Sequence, residues 1–203
     1  MNRLTLLVLA VTIAAGTQVP AQSKDVTLAV QGRASSTPWI ASHGSDVAIA
    51  WGASADGKGD IYVAMSRDGG RAFGSPVRAN TLAGEARISG EIAPRVTLTA
   101  RQNAAPIVSV TWNAKDNGTQ IKTARSTDGG MTFGPAINLQ AAGAAGDRGW
   151  QAAAADSTGK LHVMWLDHRG MAAATDPSAP LGASHAMHKG EGDGAAMDRK
   201  SVV

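Results

Sequence analysis

The sequence predicts an all-β protein assembled from repeats of short strands joined by tight turns. Glycine is abundant, with 24 residues, and Val, Thr and Trp are frequent between the glycines. An eight-residue motif occurs twice, as SRDGGRAF at residues 66–73 and as STDGGMTF at residues 126–133. In addition, three strand-like segments each end in Trp. These features indicate strands and turns, because β-branched and aromatic residues favour a pleated sheet and glycine favours turns.

The three Trp-terminated segments have the alternation of strands with one apolar face. They read VAIAW, VSVTW and LHVMW, at residues 47–51, 108–112 and 161–165. Because successive side chains of a strand point to opposite faces, each Trp shares a face with the apolar residues two and four positions before it. The pattern therefore predicts three equivalent strands.

Further strands complete a repeating unit around each Trp-terminated segment. A short strand is expected before each one, at residues 38–41, 94–97 and 150–153. Residues 61–65 and 121–125 also alternate, and they place each eight-residue motif in a hairpin. The unit is thus four short strands in roughly 55 to 60 residues, which is slightly longer than the usual repeat of a β-propeller.

The repeats predict about three blades, at residues 36–80, 92–140 and 149–203. The spacing from Trp to motif would put a third motif near Ser178, but residues 170–200 are rich in Ala, Gly, Pro and Ser and are predicted to be an insertion. Propellers close with about four to eight blades, so a three-blade arc leaves both of its edges unpaired. The repeats are therefore expected to be the N-terminal portion of a larger propeller.

The beginning of the chain has the pattern of a secretory signal peptide. Arg3 precedes an almost unbroken apolar run, Leu4 to Ala15, that is too short to act as a stable membrane anchor. Val19-Pro20-Ala21 then supplies the small residues that a signal peptidase requires. We expect residues 1–21 to be removed and residues 22–203 to be secreted or periplasmic, without a membrane anchor.

Charge and cysteine content narrow the range of partners. The formal net charge is +3, and removing Arg3, the only charged side chain among the first 21 residues, lowers it to +2. There is no block of Lys or Arg, so the sequence lacks the electrostatic footprint expected for binding nucleic acid or an anionic membrane. Cysteine is absent, so stability must come from a packed core. No cofactor is predicted.

The repeated motif resembles the Asp box, or BNR repeat, of the sialidase-like β-propeller superfamily in its secreted bacterial form. The pattern Ser-x-Asp-x-Gly-x-x-Phe is present at Ser66, Asp68, Gly70 and Phe73 and again at Ser126, Asp128, Gly130 and Phe133. The Thr that precedes the aromatic residue is kept as Thr132 and replaced by Ala72. The resemblance implies a propeller of six blades when complete, in which each box is a structural turn on the side away from the active site.

The residue types of the box are consistent with that structural role. An Asp in a tight turn accepts hydrogen bonds from nearby backbone N–H groups, Gly supplies positive φ, and the aromatic ring packs into the core. Calcium binding is the alternative, but each box offers one carboxylate whereas calcium takes six to eight oxygen ligands. No metal site is therefore assigned to the boxes.

The same resemblance raises exo-α-sialidase activity as an alternative function. That chemistry needs an arginine cluster for the substrate carboxylate, an acid/base, and a Tyr nucleophile assisted by Glu. Where the family has its first arginine motif, the chain reads Ser36-Thr37-Pro38-Trp39-Ile40. Asp56 is a weak candidate for the acid, and a solvated turn residue is the simpler interpretation. Tyr62, the single Tyr, falls in a predicted strand, so no catalytic residue is assigned.

Two other polar segments are weaker candidates. His185 and His188 lie beside Glu191, Asp193 and Asp198, a set able to ligate a transition metal. Their Gly-rich surroundings favour a solvated loop, and no metal is predicted there.

Asp167 and Arg169 follow the third Trp-terminated segment and resemble the Trp-x-Asp-x-Arg segments of secreted Asp-box proteins. An ion pair that fixes a loop at the end of a blade is favoured over catalysis for these two residues. Two functions remain open for the chain: a non-catalytic module that binds a glycan or an extracellular protein, and a glycoside hydrolase similar to sialidases.

Overall fold

The computed structural model describes residues 25–115, 118–140 and 147–167, together with the backbone of residues 199–202. The prediction of an all-β fold is confirmed, since these residues form β-strands and no helix. The strands are β1 Ala34–His43, β2 Asp46–Ala55, β3 Lys58–Ser66, β4 Val77–Arg78, β5 Arg95–Arg101, β6 Ala104–Lys115, β7 Thr119–Ser126, β8 Ile137–Asn138, β9 Arg148–Ala155, β10 Leu161–Asp167 and β11 Arg199–Val202. Most run further than the sequence pattern predicts.

The strands form three sheets in which hydrogen-bonded neighbours are antiparallel. Their orders are β1-β2-β3-β4, β5-β6-β7-β8 and β11-β10-β9. The first strand of the second sheet, β5, contacts β1 on one side and β9 on the other. Meandering sheets placed side by side in this way have the arrangement of successive propeller blades. We call them blade 1 (β1–β4), blade 2 (β5–β8) and blade 3 (β9–β11).

The seam between blades 1 and 2 packs large side chains on small ones. Trp112 and Val110 of β6 are buried against Ala48 and Ala50 of β2. Trp112 is 1% exposed, so truncating it to Ala would create a cavity costing about 3–5 kcal/mol. The face that carries each Trp is thus the face turned toward the preceding blade.

The seam between blades 2 and 3 repeats this packing. Trp165, Val163 and Leu161 of β10 form a buried cluster with Ile121 and Leu139 of blade 2. The opposite face of β10 leaves Met164 and Leu166 each 41% exposed.

The face of blade 1 that bears Trp51 is covered by the N-terminal segment. Leu28 and Val30 pack against Trp51 from residues 25–33, which contain no strand. The Arg33 guanidinium then forms an ion pair with the fully buried Asp60, at 2.8 Å between Nη1 and Oδ2. The sequence pattern did not predict that residues 25–33 would cover this face of blade 1.

A β-bulge lies opposite the repeated Trp in blades 1 and 3. In β1 the register shifts between Ser36 and Trp39, and in β9 it shifts opposite the Met164–Leu166 stretch that contains Trp165. Each bulge holds a bulky residue at positive φ, Thr37 at 52° and Trp150 at 49°. Such conformations cost on the order of 1–3 kcal/mol each and persist only where the surrounding structure imposes them.

Arginines link neighbouring blades at the end that carries the eight-residue motifs. Arg67 Nη2 donates to the carbonyl oxygen of Gly129 at 3.0 Å, and Arg125 Nη2 donates to that of Gly159 at 3.0 Å. A Cβ on Gly129 would lie 2.0 Å from Arg67 Nη2, and one on Gly130 would lie 2.5 Å from Met65 Cγ. Both positions have positive φ, which favours glycine, and at Gly130 the close approach of Met65 Cγ adds a second constraint.

Across the described ranges, we find no helix with the length and hydropathy needed to cross a membrane.

Candidate functional site

The blades present two different ends. The motif end carries the turns at residues 66–73 and 126–133 and the β1–β2 turn. The opposite end, which we call the cleft end, carries the β2–β3 turn and the connection from blade 1 to blade 2, residues 79–94.

The first turn at the motif end is closed by hydrogen bonds within its own residues. Ser66 Oγ donates to Asp68 Oδ1 at 2.7 Å and accepts from the N–H of Gly70 at 2.9 Å. Asp68 Oδ1 also accepts from the N–H of Ala72 at 3.0 Å. The Ala72 N–H and the Ser66 hydroxyl lower the pKa of Asp68, so this carboxylate is ionised at neutral pH.

The second turn has the same network with additional bonds. Asp128 Oδ1 accepts from the Ser126 hydroxyl at 2.6 Å and from the N–H groups of Met131 and Thr132, each at 3.0 Å. Its Oδ2 accepts from the Thr132 hydroxyl at 2.5 Å. The Ser126 and Thr132 side chains hold the pKa of Asp128 well below its usual range.

These bonds leave the Asp128 carboxylate little capacity for a metal ion. Both oxygens of Asp128 are already acceptors from within the turn. Among the residues that the structure describes, no group of three His, Cys, Asp or Glu side chains is placed to hold a metal. The His185 and His188 candidates lie outside the described residues.

The aromatic residues of the two motifs are partly buried. Phe73 packs against the Trp51 cluster, and Phe133 packs against the Trp112 cluster.

At the cleft end, a buried polar network fixes the 79–94 connection. Asn80 Nδ2 donates to Asp60 Oδ1 at 2.7 Å, and the N–H of Gly84 donates to the same oxygen at 2.7 Å. Asn80 Oδ1 accepts from the N–H of Ile61 at 2.8 Å. Burial raises the pKa of Asp60, but the bonds from Asn80 and Gly84 and the charge of Arg33 outweigh it, so the net shift is downward.

The rest of the connection is tied to both blades. The N–H of Ala86 donates to the carbonyl oxygen of Gly59 at 3.0 Å, and that of Arg87 donates to Asn113 at 2.7 Å. Glu85 Oε2 lies 2.6 Å from Lys122 Nζ, with the Glu85 side chain 3% exposed. The connection is therefore a fixed platform on which exposed side chains can be held in place.

A pocket of about 190 Å³ opens between blades 2 and 3 at this end. We call it the Trp150 pocket; its polar lining includes Arg87, Ser89, Glu91, Asn113 and Asp147. Trp150 is 50% exposed. Arg87 Nη1 is hydrogen-bonded to Thr119 and lies 3.9 Å from Asp147 Oδ1. An aromatic ring thus stands beside charged groups in a concave surface.

The base of this pocket contains an ion pair that the sequence analysis did not predict. The Arg148 side chain is fully buried; its Nε lies 3.4 Å from Asp167 Oδ2, and its Nη1 donates to Gln120 Oε1 at 3.0 Å. The pairing predicted for Asp167 was with Arg169, which lies outside the described residues. Arg148 sits at the start of a strand, and no local spacing in the sequence relates it to Asp167.

A second and larger cleft, of about 620 Å³, lies between blades 1 and 2. We call it the hydroxyl cleft, because its polar lining consists of four hydroxyl residues and two cations: Ser36, Thr37, Ser54, Ser89, Arg87 and Lys115. Arg87 and Ser89 also line the Trp150 pocket, so the two spaces adjoin. The hydroxyl oxygen of Thr37 is buried and has no hydrogen-bond partner in the described part of the chain.

Arg95 and Trp39 form a stacked pair on neighbouring inner strands. The guanidinium carbon lies 3.9 Å from the centre of the Trp39 ring, and Arg95 Nη1 donates to the carbonyl oxygen of Ala93 at 2.9 Å. Burial lowers the pKa of Arg95. This arginine is thus engaged by an aromatic ring and a main-chain carbonyl.

The two residues considered for sialidase chemistry lie outside both cavities. Asp56 is exposed in the β2–β3 turn at φ 51°, followed by Gly57 at φ 71°, as in a two-residue hairpin turn. Tyr62 stacks on Trp51 with 6.3 Å between ring centroids, and Arg33 lies over its ring. Neither side chain lines the Trp150 pocket or the hydroxyl cleft.

No protein-family model matches the chain, and no curated protein is significantly similar to it. Among solved structures, the chain is similar to a Hadza microbial sialidase, with 18% identity, a TM-score of 0.45 and coverage of 66% of this chain and 33% of that one. It is also similar to a polysaccharide lyase of family PL25, an ulvan lyase, with 14% identity, a TM-score of 0.38 and coverage of 64% and 36%.

A third similar structure is an α-L-arabinanase from Penicillium chrysogenum, with 9% identity, a TM-score of 0.39 and coverage of 68% of this chain and 43% of that one. The chain thus spans less than half the length of each of these proteins.

Proposed function

We propose that the chain belongs to a secreted Asp-box β-propeller of the sialidase-like type whose cleft end binds a glycan without hydrolysing it. The observation that carries the proposal is the position of Trp150. A bulge holds this aromatic residue at positive φ with half of its surface exposed, next to the charged side chains of a pocket. Residues held in strained conformations by the surrounding structure cluster at ligand sites.

The chemistry of the pocket fits a sugar better than an apolar ligand. Trp150 offers a flat apolar surface for a ring, and Arg87, Glu91 and Asp147 offer hydrogen-bonding groups around it. A glycan presents both an apolar ring face and a rim of hydroxyl groups. A glycan is therefore the partner that we propose ahead of an extracellular protein.

We assign binding, and not catalysis, to the described residues. The alternative, an exo-α-sialidase, needs exposed arginines for a carboxylate, an acid and a Tyr nucleophile. Arg148 is fully buried and paired with Asp167, Asp56 is an exposed turn residue, and Tyr62 is packed on Trp51. None of these groups converges on one reacting atom.

Secretion is part of the proposal and rests on the N-terminal sequence. Arg3, the apolar run that follows it and Val19-Pro20-Ala21 together have the pattern of a cleaved signal peptide. Mass spectrometry of the N-terminus of the exported protein tests this, with Gln22 expected as the first residue.

The binding proposal is tested with Trp150→Asn. Asn tolerates positive φ, so this change removes the ring while preserving the backbone conformation of the bulge. Affinity for glycans found by screening the full chain should fall about tenfold or more, equivalent to about 1.4 kcal/mol or more. Isothermal titration measures the affinity.

The matched control is Met131→Ala, which removes a side chain that is 68% exposed at the motif end. It should bind like the wild type. Unchanged glycan affinity in a folded Trp150→Asn variant would exclude the Trp150 pocket as the binding site.

The catalytic alternative is tested with an aryl sialoside. We expect no release of the aryl group by the full chain. Hydrolysis that Asp56→Asn removes would overturn the non-catalytic assignment.

A further inference from the structure

We infer that the hydroxyl cleft receives an anionic substituent, a carboxylate or a sulfate, of the same glycan that stacks on Trp150. This inference rests on the proposed function and deepens it by naming the ligand class, an acidic polysaccharide. Its evidence comes from the cleft between blades 1 and 2, away from the Trp150 ring.

The first argument is the charge of the cleft lining. Arg87 and Lys115 both line it, and none of its lining residues is a carboxylate. Two acids are buried and paired elsewhere, Glu85 with Lys122 and Asp60 with Arg33. Three others lie around the cleft: Asp56 is exposed beside the lining residue Gly57, and Glu91 and Asp147 line the adjoining Trp150 pocket. The cleft lining itself carries two cations and no carboxylate, and this local charge favours an anion between them.

The two cations are not neutralised to the same extent. Arg87 Nη1 lies 3.9 Å from Asp147 Oδ1, at the outer limit of an ion pair, and both side chains are about half exposed or more, at 49% and 64%. Lys115 is exposed and forms no ion pair among the described residues. Charged hydrogen bonds from such groups to a carboxylate or sulfate are stronger than those between neutral partners.

The second argument is the unpartnered hydroxyl of Thr37. Its Oγ1 is buried at the wall of the cleft without a hydrogen-bond partner in the described part of the chain. Buried polar side-chain atoms usually have a partner, and an exception needs an explanation. Thr37 also occupies a bulge at φ 52°, an unusual conformation for a β-branched residue. A ligand oxygen would supply the missing partner once the Thr37 side chain rotates toward the cleft.

The third argument is continuity between the two spaces. Arg87 and Ser89 line both the hydroxyl cleft and the Trp150 pocket. A ligand that fills both must be longer than a single sugar, because the cleft alone has a volume of about 620 Å³. The geometry thus assigns an internal stretch of an acidic polymer, with one ring on Trp150 and a charged group between Arg87 and Lys115.

The experiment compares matched pairs of polymers that differ only in charge. One pair is polygalacturonate and its fully methyl-esterified form, and the other is dextran sulfate and dextran. The full chain should bind at least one acidic member about tenfold more tightly than its neutral counterpart, and added salt should reduce this preference. The pair that shows the preference identifies carboxylate or sulfate as the substituent.

Two variants locate the preference. Lys115→Gln and Arg87→Gln should each remove most of the difference between acidic and neutral polymers. Arg71→Gln makes the same change of charge at the motif end and should leave the preference intact. Thr37→Val keeps the shape of the side chain and removes the hydroxyl, and it should weaken acidic-polymer binding by several-fold.

The outcomes separate the two proposals. Equal binding of acidic and neutral polymers that still depends on Trp150 overturns the anionic inference and leaves the proposed function standing. A preference that Arg71→Gln reduces as much as Lys115→Gln overturns the inference as well, because it would then reflect net charge only. A preference that needs Arg87 and Lys115 but is unaffected by Trp150→Asn supports the anion site and overturns the role of the Trp150 pocket.

Discussion

The motif end and the cleft end are built on the same strands but differ in their polar groups. The cleft end contains a buried hydrogen-bond network around Asp60 and Asn80 and, beside it, groups that the protein does not satisfy or cover. At the motif end, the Ser126 hydroxyl and the Asp128 carboxylate have partners within a single turn. At the cleft end, the Thr37 hydroxyl has no partner among the described residues, and half of the Trp150 surface is exposed. Polar groups satisfied by their own turn stabilise the fold, whereas an exposed aromatic ring held by a rigid bulge is available to a ligand.

The difference is also visible in backbone conformation. Positive φ at the motif end falls on glycines, among them Gly69, Gly70, Gly129 and Gly130, and on Asn103 in the β5–β6 turn, where it costs little. At the cleft end, Thr37 and Trp150 adopt it in their bulges. The bulky residues at positive φ thus lie at the end where binding is proposed.

Among the variants that compare the two ends, Ser126→Ala is expected to change the free energy of unfolding the most. The change leaves the buried N–H of Gly130 without its acceptor, which should reduce the free energy of unfolding by about 1–3 kcal/mol. Glycan affinity should not change. Chemical denaturation and isothermal titration measure the two quantities on the same sample, and a loss of affinity in the folded variant would break the separation of the two ends.

A smaller change in the free energy of unfolding should distinguish the two turns. Thr132 donates its hydroxyl to Asp128, whereas Ala72 at the equivalent position cannot donate to Asp68. Thr132→Ala should therefore destabilise the chain by about 0.5–1.5 kcal/mol, and Ala72→Thr should stabilise it by a similar or smaller amount. If denaturation midpoints move in neither direction, the extra hydrogen bond adds nothing.

Acid should weaken the second turn more than the first. The pKa of Asp128 is far below its usual range because of Ser126 and Thr132, and that of Asp68 is also lowered. A carboxylate with a lower pKa in the folded state contributes stability that is present above its unfolded pKa, about 3.9, and is lost as the pH falls through the folded pKa. Melting temperatures measured below about pH 4 should therefore fall less steeply in Asp128→Asn than in Asp68→Asn. Parallel slopes would contradict this ranking.

Calcium should not change the melting temperature. Each turn supplies one carboxylate, and the oxygens of Asp128 are occupied by donors from the turn itself. Melting curves with excess calcium and with chelator should coincide. A calcium-dependent rise in melting temperature that Asp128→Ala abolishes would show that the turn is a metal loop.

Repeating local patterns made much of the fold predictable from the sequence. The alternation in VAIAW, VSVTW and LHVMW predicts strands with a Trp-bearing face, and these strands form the middle of each blade. Hairpins follow from the glycine-rich motifs between alternating segments. Such features depend on residues a few positions apart, so a single sequence contains them.

The candidate site was much less predictable, because its contacts join residues distant in the chain. Arg148 meets Asp167 and Gln120 only after blades 2 and 3 pack together, and Lys122 meets Glu85 across a seam. Gly149 stands next to the bulge, but the residue at positive φ is Trp150, so the glycine does not mark the position. The bulge arises from strand register opposite Trp165, which periodicity alone does not define.

The arginine links at the motif end bear on how a propeller could gain blades by gene duplication. Arg67 and Arg125 occupy different positions in their repeats, yet each reaches a main-chain carbonyl of the following blade, at Gly129 and Gly159. Both acceptors are main-chain carbonyls of glycines at positive φ, so the link requires a glycine turn in the neighbouring blade but no particular polar side chain. Gene duplication that adds a blade would find acceptors already in place, and the copies could then diverge at the cleft end while remaining joined at the other.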